Sequence, residues 1–67
     1  MTNDQVIAAI AHLIGTQYEP SVKAQITQLT ERARVVGPTE MLTREYDPNR
    51  VHIVANAAGT IEAFTFG

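Results

Sequence analysis

Between Gly37 and Arg50 the chain reads GPTEMLTREYDPNR, a tract too long and too punctuated to form one strand or one helix. It stands directly before the strongest strand pattern in the sequence, RVHIVA. Any fold must therefore carry it between ordered elements, either as a mobile connection or as a displayed binding loop. Thr39, Met41, Leu42 and Thr43 favour an extended backbone. Pro38 and Pro48 fix φ and remove two amide donors that a sheet ladder would use. The tract is expected to be extended but unpaired. At its centre Arg44 lies between Thr43 and Glu45, and Arg50 follows where the strand begins. One arginine can then point outward while the other reaches back to the flanking oxygens.

Residues 4 to 14, DQVIAAIAHLI, place Val6, Ile7, Ile10, Leu13 and Ile14 at helical spacing, and Thr2 with Gln5 fits a capping box. Gly15 ends that helix, and its apolar stripe faces either the core or a partner. His12 is expected on the helix surface. A second helix starts at Pro20, capped by Glu19 or Ser21. It is expected to bury Val22, Ile26, Leu29 and Ala33, with Lys23, Gln25, Gln28, Glu31 and Arg32 forming a solvated surface. Arg34, Val35 and Val36 shift to a short β-rich run that Gly37-Pro38 stops.

Beyond the tract, Arg50 to Ala55 alternates. Val51, Ile53 and Ala55 form one face, toward the second helix, and Arg50, His52 and Val54 the other, beneath the loop. Asn56 to Gly59 supplies a turn, and Thr60 to Phe66 returns antiparallel, with Ile61 and Ala63 expected on the helix side and Phe64 and Phe66 nearer the loop. The sum is an α+β fold: a small mixed sheet packed on one main helix, with an extra amino-terminal helix and a long exposed loop over about residues 38–49.

Sixty-seven residues make a single domain, residues 1–67, and a chain this small buries only about 60% of its unfolded surface. There is no cysteine to supply a disulfide, so burial and hydrogen bonds must suffice. The net charge of −2 comes from five basic and seven acidic residues that are scattered, which argues against a nucleic-acid partner. Neither a signal peptide nor a membrane span is evident, so the chain as given reads as cytoplasmic, with a secreted, processed form left open. Ser21 is the one serine and reads as a helix cap. With no cysteine nucleophile, no glycine-rich phosphate loop, and His12 and His52 far apart without a carboxylate partner, no catalytic site, metal site or cofactor is expected.

The run LTREYDPNRVHIV, followed by GTIEAFTFG, resembles the potato inhibitor I family of serine-protease inhibitors, which includes the eglins, and is similar to related small microbial inhibitors. In those families a Thr, a specificity residue, an acidic residue and an often aromatic residue precede a short spacer, and Arg-Val then opens a strand. Thr43, Arg44, Glu45, Tyr46 and Arg50-Val51 stand at that spacing. Leu13-Ile14-Gly15 and the helical pattern from Ser21 are similar to the family's upstream part, so the likeness covers residues 13 to 67.

The resemblance implies a protease-binding loop of Met41, Leu42, Thr43, Arg44, Glu45, Tyr46 and Asp47, with Arg44-Glu45 as the reactive bond and Arg44 entering the specificity pocket. Arg50 matches the first of two supporting arginines that stiffen the loop. His52 stands where the family has the second, which makes that half of the support pH-dependent, since an imidazole titrates near neutrality and a guanidinium does not. Gly67 is expected to reach Arg50 or His52. Asp47 stands where many relatives carry a basic residue.

The implied partner is a trypsin-like or subtilisin-like serine protease, met by a monomer or weak dimer. On composition alone Arg44 is an ordinary exposed arginine, and the spacing from Thr43 to Val51 is what reverses that reading. The alternative is a small, non-inhibitory interaction subunit that keeps the fold.

Overall fold

The structure is a computed structural model and describes residues 1–40 and 47–67. Helix α1 spans Asn3–Ile10 and continues as a 3-10 turn over Ala11–Leu13. Helix α2 spans Pro20–Thr30, and strands β1 (Val35–Val36), β2 (Val51–Ala55) and β3 (Ile61–Phe66) form one sheet in the order β1-β2-β3. β1 runs parallel to β2, and β3 antiparallel to it, so the architecture is α+β with a mixed sheet.

Local chemistry starts each element where the sequence predicts. Thr2 Oγ1 accepts from the Gln5 amide while the Gln5 side chain accepts from the Thr2 amide, a complete capping box. Glu19 precedes Pro20, whose fixed φ suits the first helical position. Asn56 Oδ1 accepts from the amides of Ala58 and Thr60, both at 3.0 Å, and so holds the β2–β3 turn.

Both helices pack on one face of the sheet. Val6, Ile10 and Leu13 from the amino-terminal segment meet Val22 and Ile26 of α2 and Val35, Val51, Ile53, Ile61 and Phe64 of the sheet. Each fully buried aliphatic side chain contributes roughly 1.5–3 kcal/mol. In a chain without disulfides this cluster is the main source of stability.

Three expectations about faces are corrected. In α1 the buried stripe is narrower than predicted, since Ile7 and Ile14 are exposed. In α2 the buried line is Val22, Ile26 and Thr30, spaced by four, while Leu29 and Ala33 are exposed. The helix ends because Glu31 turns left-handed (φ 59°), which takes Ala33 off the stripe. Thr30 tolerates burial because its hydroxyl donates to the Ile26 carbonyl at 2.6 Å and accepts from the Arg32 amide at 3.2 Å.

In β3 the pairing passes from Val54↔Ala63 to Ala55↔Ile61, leaving Glu62 as an extra residue. That bulge reverses the phase of the strand. Phe64 pairs with Ile53 and Phe66 with Val51 on the helix side, and Ala63 pairs with Val54 on the outer face, so these three lie opposite to the predicted arrangement while Ile61 is in the core as expected.

The parallel pairing of β1 and β2 explains why residues 37–50 form so long a tract. Adjacent parallel strands cannot be joined by a tight turn. The chain must leave at the far end of β1 and re-enter at the near end of β2, which takes a crossover of a dozen or more residues.

Candidate functional site

Arg50 stands immediately before β2 and is only 6% exposed. Its Nε donates to the Gly67 oxygen at 3.2 Å, among other contacts, and its carbonyl accepts from the Gly67 amide at 3.3 Å. Because Val51 pairs with Phe66, Arg50 and Gly67 continue the β2–β3 ladder by one residue. Gly67 takes φ 108°, a conformation that side chains rarely adopt. The His52 ring meets the same Gly67 oxygen through Nε2. Arg50 and His52 thus meet at the Gly67 oxygen.

The segment that leads into β2 is fastened from three directions. Asp47 Oδ1 accepts from the Asn49 amide at 2.9 Å, and the Asp47 carbonyl accepts from the Arg50 amide at 3.0 Å, which folds residues 47–50 into a tight turn. Arg34 Nη1 forms an ion pair with Asp47 Oδ2 at 3.1 Å. Arg32 Nη1 donates to the Asn49 carbonyl at 3.1 Å, and Asn3 Nδ2 donates to the Pro48 carbonyl at 3.2 Å.

The segment that leaves β1 is fastened separately. Lys23 Nζ meets Glu40 Oε1 at 2.5 Å, and the Glu40 amide donates to the Gly37 carbonyl at 3.2 Å. The Lys23 hydrogen bond, with the charge of that ammonium, holds the Glu40 carboxyl below the usual carboxylate range. Gly37 is seated against Tyr18, and a Cβ there would lie 2.7 Å from the phenol oxygen, so nothing larger than glycine fits without a shift. Beside this segment, on the outer face of the sheet, lies an open groove of about 270 Å³ whose lining includes Pro38, Glu40, His52, Val54 and Thr65.

Met41, Leu42, Thr43, Arg44, Glu45 and Tyr46, including the expected reactive bond, lie outside the described residues. Asp47, Arg50, His52 and Gly67 lie within them, at the point where the tract returns to the sheet. Sequence reasoning missed Asn3, Lys23, Arg32, Arg34 and Glu40. Lys23 and Arg32 were expected to be plain solvated surface, and both instead bond to the ends of the tract. Among the described residues no group of His, Cys, Asp and Glu could hold a metal ion.

An ordered sheet end, a tract secured on both sides and a buried arginine at its return are the setting in which the comparisons with known proteins fall. The model of the peptidase inhibitor I78 family matches residues 7–67. The chain belongs to that family. A solved structure, that of the elastase inhibitor AFUEI (crystal form II), matches at 26% identity with a TM-score of 0.60, over 96% of this chain and 91% of that one. No curated protein matches. As an I78 member the chain is a small protease inhibitor by family, and the family matched is I78 where the sequence resemblance had pointed to potato inhibitor I.

Proposed function

We propose that this chain is a serine-protease inhibitor that acts as a slowly released substrate, offering Arg44-Glu45 as the scissile bond. The observation that carries this reading is Arg50, a guanidinium buried at the mouth of β2 where the tract returns to the sheet and joined there to Gly67. The I78 membership supports protease inhibition, and the motif likeness supports Thr43 and Glu45 as the flanks of the bond. Met41 to Asp47 form the contact surface, and Arg50 and His52 are its support.

The mechanism follows from restraint. The protease serine attacks the Arg44 carbonyl, the peptide bond to Glu45 breaks, and the Glu45 amine becomes the leaving group. Held in place by Arg50 and by the fastened turn at residues 47–50, that amine stays beside the acyl-enzyme. Its return attack, which restores the peptide bond, outcompetes water through proximity. Little conformational freedom is lost on association, so an interface of about 1,600 Å² suffices for tight binding.

Arg44 sets the specificity. A guanidinium calls for a carboxylate at the base of the pocket, as in trypsin-like enzymes, and subtilisin-like enzymes with more permissive pockets are the second class of target. An inhibition panel of trypsin, chymotrypsin, elastase and subtilisin tests this. Elastase is included because the structural relative is named for it. Inhibition of trypsin or subtilisin is expected, and Arg44→Leu should weaken trypsin binding about a hundredfold, in line with the 2–4 kcal/mol or more of a specificity-pocket anchor. Rapid cleavage after Arg44 with no inhibition of any enzyme in the panel would favour the non-inhibitory subunit instead.

A further inference from the structure

We propose that Arg32 is a positioning residue of the binding loop, holding the leaving-group side of the reactive bond to the helical half of the molecule. This rests on the inhibitory reading above. Arg32 lies just past α2, and its guanidinium joins three chain segments. Nη1 donates to the Asn49 carbonyl at 3.1 Å, while Nη2 donates to the Met1 carbonyl at 2.8 Å and to Asn3 Oδ1 at 3.1 Å. Asn3 in turn donates from Nδ2 to the Pro48 carbonyl at 3.2 Å. The result is a closed circuit in which two successive carbonyls of the returning tract, Pro48 and Asn49, are each held, one directly and one through Asn3.

The side chain arrives there by construction. The left-handed turn at Glu31 ends α2, and the Arg32 amide is caught by the buried Thr30 hydroxyl, so the backbone leading into Arg32 is fixed. A planar fork with donors on two nitrogens can serve carbonyls from different segments at once, which a single ammonium does less well. Among the described residues the Arg32 guanidinium bonds to Asn49, Met1 and Asn3. Its effect passes through the turn at residues 47–50, whose last member, Arg50, supports the loop from the sheet. Arg50 ties the end of that segment to Gly67, and Arg32 ties it to the end of α2.

The role predicts a split between binding and turnover. Losing Arg32 leaves the specificity residue untouched, so the KM for the inhibitor as a substrate should change little. The leaving segment drifts from the acyl-enzyme more readily, so the kcat for its hydrolysis should rise about tenfold, the size expected for one charge-assisted hydrogen bond. In the free protein, amide hydrogen exchange at Asn49 and Arg50 should quicken by a similar factor while exchange at Ile53, in the middle of β2, stays as in the wild type.

The experiment compares wild type, Arg32→Ala and Arg32→Lys as full chains, with hydrolysis measured against whichever enzyme of the panel the wild type inhibits. Arg32→Lys should restore less than half of the effect. If Arg32→Ala does not fold, Asn3→Ala cuts one link of the circuit and should show the same localised pattern at smaller size. Exchange that is unchanged at Asn49 and Arg50, or that quickens equally at Ile53, overturns the proposal. If the wild type inhibits nothing, the inhibitory reading falls, and the exchange comparison still decides whether Arg32 holds the turn.

Discussion

Taking a cation as far out of water as Arg50 costs several kcal/mol unless its donors are met, and among the described residues no buried side-chain nitrogen or oxygen lacks a partner. Its site is therefore specified, and so is its direction, toward the end of the β2–β3 ladder. Arg50 and His52 were legible in the sequence because alternation along a strand assigns faces residue by residue. Arg32 was not, because what aims it is a left-handed turn at a glutamate, a conformation no residue pattern announces. Lys23 and Glu40 were equally hidden, being far apart in sequence and charged like any surface pair.

Their pairing nonetheless leaves a trace that can be measured. The folded Glu40 carboxyl lies below its ordinary value because Lys23 bonds to it, so the pair's contribution is present above the ordinary carboxylate pKa and is lost as the pH falls through the lowered one. An NMR titration should show the Glu40 midpoint depressed in the wild type and restored in Lys23→Ala. Equal midpoints in the two proteins would show that the contact does not persist in solution. Both side chains are partly exposed, so salt should diminish the difference.

At the scale of elements, the helices and the hairpin followed from pattern, and their ends and phases did not. Thr2 and Gln5 announce the start of α1, and Pro20 that of α2. The bulge at Glu62 has no equivalent signal: the alternation Ile61, Ala63, Thr65 reads smoothly, and only the need to bury Phe64 beside Ile53 forces the extra residue. The end of α2 is another such place. Glu31 adopts φ 59°, where a side chain costs about 1–2 kcal/mol and glycine is the usual occupant. Glu31→Gly should therefore stabilise the protein by about 0.5–1 kcal/mol after the larger chain entropy of glycine is counted. Chemical denaturation would check it: a lower midpoint for the variant means that the Glu31 side chain makes a stabilising contribution larger than its backbone strain.

Across the whole molecule, one topological fact organises the rest. A parallel β1–β2 pair forces a crossover, and here the crossover carries the proposed reactive bond instead of a helix. Helix α2 and the second residue beyond it reach both ends of that crossover, Lys23 to Glu40 on one side and Arg32 to Asn49 on the other. The core beneath is small and has no disulfide, and among the described residues these charged and backbone contacts hold the two ends of the crossover. The measurement that bears most directly on the account is the rate at which a bound serine protease cleaves Arg44-Glu45 in wild type and in Arg50→Ala, with circular dichroism to establish that both are folded. Loss of the charge-assisted bonds of Arg50 predicts hydrolysis at least about tenfold faster in the variant. Equal cleavage rates in two folded proteins would contradict it.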